Sequence, residues 1–169
     1  MQSPKTVIVI LSALALAILS GCSKKDDTTA IRQLIGEGTQ LAEDHQIGGL
    51  MRLTTPDFIA LPGQHDASQV KGILFMAFQH YGKLKIHHPR PSVEVAEGGK
   101  AATALIHFVI VSQDKAIPDL RALYEDPERW IEKASEKADL YQLELELVKE
   151  DGDWRVKIAE MKGFKGWGF

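Results

Sequence analysis

Few side chains in this sequence of 169 residues stand where they could do chemistry. The one cysteine, Cys22, directly follows an apolar run, so no intramolecular disulfide can form. Asp57 stands at the start of a short extended stretch. It would serve as a general base if a dry pocket raised its pKa, and as a turn residue it would instead cap or tether Thr54-Thr55. His87 and His88 fall in a strand interrupted by Pro89 and Pro91, and the prolines invite a bulge that turns one of the two histidines inward, leaving open which. An inward histidine is either a hydrogen-bonded core group or an acid-base catalyst. His107 lies in a strand whose core face is Ile106, Phe108 and Ile110, which puts it on the outer face. Phe58, Phe78, Tyr81, Phe108 and Tyr141 read as core aromatics first and pocket lining second. His65, His87 and His88 lack metal-ligand spacing, so no metal is expected. The sequence has no glycine-rich phosphate loop, nucleophile elbow or paired helical carboxylates, so neither a cofactor nor a catalytic residue is assigned.

The surroundings of Cys22 are more specific. Lys5 precedes an apolar stretch from Val7 to Leu19, followed by the small residues Ser20 and Gly21, which is the layout of an export signal. Those thirteen residues would cover about 20 Å as a helix, against roughly 30 Å of hydrocarbon, too short to span. Leu19-Ser20-Gly21-Cys22 closely resembles the bacterial lipobox, which implies cleavage before Cys22 and acylation of its thiol. Each buried CH₂ of an acyl chain contributes about 0.8 kcal/mol, so several chains would hold the protein on a bilayer almost permanently. Ser23 stands where the inner-membrane retention signal of lipoproteins has Asp, which implies an outer-membrane protein facing the periplasm. Lys24 to Thr29 reads as a polar tether.

Composition bounds the remainder. With 44% hydrophobic and 25% charged residues, the chain is ordinarily globular and sized for one domain. Losing Lys5 with the signal leaves 19 basic against 23 acidic residues, and no basic stripe is interleaved with aromatics, so nucleic acid is not an expected partner.

The elements that must position the candidates follow from periodicity. Ile31, Leu34, Ile35, Gly38, Leu41 and Ala42 recur at helical spacing from Ala30, with Thr28 or Thr29 as cap, and Gly48-Gly49 breaks the pattern. Pro56 opens an extended stretch, Asp57–Leu61, that ends at Pro62-Gly63. Asp66 and Gln69 predict a capping box for a second helix with the buried stripe Val70, Ile73, Leu74, Ala77, Phe78 and Tyr81, stopped by Gly82. Strands are expected over Leu84–Val95, Ala101–Ser112, Leu140–Lys149 and Trp154–Met161, with hairpin turns at Gly98-Gly99 and Asp151-Gly152. The first turn would pair Val93 with Ala104 and Val95 with Ala102. In the last hairpin Trp154, Val156 and Ile158 would share the apolar face with Tyr141, Leu143, Leu145 and Leu147, leaving Arg155 and Lys157 opposite acidic partners. Between 113 and 139 lies an insertion in which Asp126-Pro127 opens a helix with Trp130, Ile131 and Ala134 on one side. This divides the chain into a signal (1–21), a lipidated tether (22–29), an α+β domain (30–162) and a tail rich in glycine and aromatics (163–169).

The order of these elements resembles the nuclear-transport-factor-2-like superfamily over residues 28 to 162. The carriers are the long first helix, Asp57 before Phe58-Ile59, the Pro62-Gly63 turn leading to the second long helix, and the closing hairpin Asp151-Gly152-Asp153-Trp154-Arg155-Val156. The resemblance implies helices packed on a curved antiparallel sheet that forms a cone, and a mouth that can hold a ligand. Asp57, Phe58, Phe78, Tyr81, His87, His88, Phe108 and Tyr141 are the candidates for its lining. The superfamily includes ketosteroid isomerase, scytalone dehydratase, polyketide cyclases and many non-catalytic domains, so the fold implies no activity by itself. The expectation is a lipid-anchored envelope domain that binds a small apolar ligand or a partner protein without catalysis. The alternatives are an isomerase or dehydratase using an Asp or His base, and a structural homodimeric subunit.

Overall fold

The computed structural model describes residues 23–112 and 139–163, with positions 121, 125, 126 and 129 between them. The signal, Cys22, the Trp130–Ala134 helix face and the tail beyond Gly163 lie outside the described residues. Helix α1 (Ser23–Glu43) and the short α2 (Ile47–Arg52) lead into β1 (Thr54–Leu61) and β2 (His65–Asp66). Then come α3 (Ala67–Tyr81), β3 (Leu84–His87), β4 (Ser92–Val95), β5 (Ala101–Ser112), β6 (Asp139–Glu150) and β7 (Asp153–Gly163). The strands form one curved, unclosed sheet in the order β2-β1-β7-β6-β5-β3, with β4 also paired to β5.

The fold is α+β, as expected, but the sheet is mixed. β1 runs parallel to β7 and every other pairing is antiparallel. Ile31 and Ile35 of α1 share one core with Phe58, Ala102, Ala104, Ile106, Leu145, Leu147, Trp154 and Val156. The alanines on β5 leave room for the helix to approach.

Helix α1 starts seven residues earlier than its apolar periodicity predicts, and the expected tether forms its first turns. The cause is Asp27, which is 4% exposed and accepts from Lys149 Nζ at 2.5 Å and from Trp154 Nε1 at 3.1 Å. A buried carboxylate needs such partners, and they hold this end of α1 on the last hairpin. Further along, Arg32 Nε donates to the Pro91 carbonyl at 3.3 Å. At the far end Glu43 takes Lys85 Nζ at 2.6 Å and the Ile86 amide at 2.8 Å.

The capping box of α3 is complete: Asp66 accepts from the Ser68 and Gln69 amides at 2.8 and 2.9 Å, and Gln69 Oε1 accepts from the Asp66 amide at 3.0 Å. Ile73, expected in the buried stripe, is 46% exposed. Asp126 caps as expected, accepting from the Arg129 amide at 3.2 Å.

Two single-residue insertions decide which side chains face the core. His87 pairs with Val109 and Ser92 with Leu105, so residues 88–91 lie opposite the three residues 106–108. Pro89 and Pro91 do more than bulge the one expected strand, Leu84–Val95; they divide it into β3 and β4, because neither can donate into the ladder. In the last hairpin Leu147 pairs with Val156 but Glu146 pairs with Ile158, which leaves Lys157 as the extra residue of a bulge. Ile158 therefore moves to the outer face and Ala159, paired with Leu145, takes the core position. The expected acid-base ladder shifts with it. Glu144 faces Glu160, Arg155 reaches Glu150 at 3.8 Å, and Lys157 reaches Asp57 at 3.6 Å.

Candidate functional site

The site is built where α3, β5 and β6 end together. From Ala101–Val148 to Ile110–Asp139 the β5–β6 ladder runs without a slip, so Asp139, Tyr141 and Phe108 share the face that carries Ile106 and Leu145 into the core. Phe108 and Tyr141 are direct cross-strand partners with ring centroids 5.4 Å apart and planes inclined by 27°. Tyr81, the last residue of α3, places its hydroxyl 2.7 Å from Asp139 Oδ2 and 2.7 Å from Tyr141 Oη. Its carbonyl accepts from Ser112 Oγ at 3.4 Å.

Proton counting orders this cluster. An ionised Asp139 only accepts, so the one proton of Tyr81 goes to it, and the contact between the phenols must be donated by Tyr141. The chain runs Tyr141 to Tyr81 to Asp139. Partial burial and the two neighbouring oxygens push the Tyr81 phenol well above its ordinary value, so it stays protonated.

The other candidates are dispersed. Asp57 is an exposed edge residue beside Lys157, not pocket lining. The Thr55 side chain and the Lys157 ammonium hold its carboxyl below the ordinary range, the reverse of what a general base needs. His87 pairs with the buried Val109, on the sheet face opposite Ile106, and His107 lies on that same face opposite Gln142. His88 is the inward histidine: Nδ1 donates to the Pro89 carbonyl at 2.8 Å, and Nε2 lies 3.4 Å from Thr39 Oγ1 on α1. Phe58 is core and 5% exposed. Phe78 stacks on His45 with centroids 4.6 Å apart, filling the junction of α1 and α3 instead of a mouth. His45 reaches it because it closes α1 at φ 55°, with its amide bonded to Ala42 and that of Gln46 to Leu41.

Tyr81, Phe108 and Tyr141 are thus brought together, and Asp139 is the member that sequence reading misses. Its signal was available: it stands two residues before Tyr141, on the same face of a strand that extends one residue further than its apolar pattern. Among the described residues no three His, Cys, Asp or Glu side chains gather as metal ligands, and no helix is long and apolar enough to cross a membrane. A shallow depression of about 330 Å³ lies near the opposite end of these strands, lined by Glu94, Thr103, Glu146 and Lys157 among others. It opens on the outer face and shares no residue with the tyrosine cluster.

No protein-family model and no curated protein matches the sequence. Solved structures do. A nuclear-transport-factor-2-like protein of unknown function from Pseudomonas putida KT2440 superposes with a TM-score of 0.64 at 15% identity, over 86% of this chain and 99% of its own. A candidate scytalone dehydratase from Novosphingobium aromaticivorans gives 0.63 at 13% identity, over 87% and 90%. A nuclear-transport-factor-2-like protein with a cystatin-like fold from the same organism gives 0.58 at 16%, over 99% and 94%. The domain therefore has the nuclear-transport-factor-2-like, cystatin-like fold, which carries both enzymes and non-catalytic proteins.

Proposed function

We propose that this chain is a lipid-anchored protein of the bacterial cell envelope, held by acylated Cys22 on the periplasmic face of the outer membrane, whose domain binds a small, largely apolar ligand. The observation that carries the binding reading is the convergence of Tyr81, Phe108, Tyr141 and Asp139 on one end of the concave face. Aromatic walls with a few aimed polar atoms are the usual composition of a small-molecule site. Binding is favoured over catalysis because Asp57 and His87 stand outside this cluster, His88 has both ring nitrogens in polar contacts, and the Asp139 carboxylate is engaged as acceptor of the Tyr81 proton. The anchor is supported by Leu19-Ser20-Gly21-Cys22 behind its apolar run.

Two measurements test the two halves. Labelled fatty acid should enter the wild-type protein and not Cys22→Ser, which should fold yet leave the membrane fraction; a serine variant that still fractionates with membranes removes the anchor. The neutral fluorophore 1-N-phenylnaphthylamine should bind saturably to the purified chain. Phe108→Ala and Tyr141→Ala should weaken it by about tenfold, the scale of one lost aromatic pair. Saturable binding that neither variant changes places the ligand elsewhere, and no saturable binding removes the reading.

A further inference from the structure

We propose that the ligand of this end carries a protonated amine on an aromatic or apolar body, and that carboxylates and other anions are excluded. The inference rests on the reading of the cluster as a ligand site and follows from the direction of its hydrogen bonds. Tyr81 Oη lies 2.7 Å from both Asp139 Oδ2 and Tyr141 Oη. Two phenols bring two protons and the carboxylate brings none, so both short contacts consume the whole donor supply of the cluster. Among the described residues, what remains for a ligand is the second oxygen of Asp139 and the unused lone pairs of Tyr141 and Tyr81. All of these accept, and the cluster carries one negative charge. An ammonium group satisfies them with its three N–H donors and supplies the missing countercharge. A ligand oxyanion would have to take a phenol proton away from an existing 2.7 Å bond, and it would sit beside the Asp139 carboxylate. The ring of Phe108, stacked on Tyr141, gives the apolar body a wall that also favours a cation.

Three probes of one size separate this proposal from the reading beneath it: 2-phenylethylamine, 3-phenylpropionate and neutral ethylbenzene, titrated at pH 7 into the purified chain and followed by NMR of the tyrosine rings. The amine should bind at least about tenfold more tightly than the carboxylate, the scale of one charge-assisted hydrogen bond. Asp139→Asn should bring the two within about threefold of each other by weakening the amine. Equal affinities, or a preference for the carboxylate, in the wild type overturn the proposal while leaving a binding site in place. Ethylbenzene binding without either charged probe does the same. An amine preference that survives in Asp139→Asn also overturns it, since the selecting charge then lies elsewhere. Failure of all three probes removes the ligand site itself.

Discussion

Replacing Asp27 tests the account of how α1 is held. Its carboxylate is 6% exposed and serves two partners through one oxygen, Lys149 Nζ at 2.5 Å and Trp154 Nε1 at 3.1 Å. Asp27→Ala leaves the ammonium without its countercharge and the indole N–H without its acceptor. Removing one member of a fully buried ion pair costs about 3–5 kcal/mol; the Lys149 side chain keeps 30% of its exposure, so about 2–4 kcal/mol is expected here. Asp27→Asn keeps an oxygen for Trp154 and loses the charge, for about 1–2 kcal/mol. The pH dependence has a definite sign. The hydrogen bond from Lys149, with smaller help from Trp154, holds the folded carboxyl below its ordinary value. Its stabilisation is therefore fully present above the unfolded value of about 3.9 and is lost as pH falls through the lower folded value. The gap between wild type and Asp27→Asn should stay constant from pH 6 to pH 8 and close below about pH 4. Urea unfolding of the purified chain followed by circular dichroism measures both effects. A cost for Asp27→Ala under about 1 kcal/mol, or a gap indifferent to acid, refutes the clamp.

Other consequences can be checked in the same way. Val156→Lys should cost about 3 kcal/mol or more, while Ile158→Lys, facing outward beside Glu146, should cost less than about 1 kcal/mol; equal costs would mean that the bulge at Lys157 is wrong. Trp154→Ala should cost about 3–5 kcal/mol by thermal unfolding, and a loss under about 1 kcal/mol would put Trp154 outside the core. In an alkaline absorbance titration the Tyr81 phenol should ionise well above the ordinary tyrosine value of about 10. Because its folded phenol is held neutral, stability should begin to fall above about pH 10, where the unfolded phenol ionises, and Tyr81→Phe should lessen that fall.

Local chemistry was legible wherever a short pattern has one structural answer. Asp66 and Gln69 specify their capping box within four residues. The Gly98-Gly99 turn sets the register that pairs Val93 with Ala104 and Val95 with Ala102. The irregularity expected at Pro89 and Pro91 goes beyond a bulge and ends the strand, because proline cannot donate into a ladder. Alternation carries parity but no count of insertions. Ile158 and Ala159 are both apolar, so the pattern after Val156 accepts either face, and the charges of Arg155 and Lys157 do not decide between them. Lys157 finds Asp57 on β1, a strand that lies beside β7 only through the parallel pairing of two segments about a hundred residues apart. Asp27 was unreadable for a similar reason. Its polar neighbourhood suggests a tether, and only Lys149 and Trp154, more than a hundred residues away, make it part of the core.

The same strand carries both ends of the functional argument. Lys149 and Tyr141 lie eight residues apart on one face of β6, which at about 3.4 Å per residue separates them by about 27 Å. Lys149 holds Asp27, five residues after Cys22, and Tyr141 holds the phenol of Tyr81. With Cys22 acylated as proposed, the clamp leaves only the first turn of α1 between lipid and domain, so the Lys149 end stands at the bilayer and the tyrosine end is directed away from it. A ligand would then reach the site from the aqueous side. This arrangement suits an amine-bearing ligand better than a wholly apolar one, because a protonated amine is already soluble in water and gives up part of its hydration only where Asp139 and the phenols can replace it.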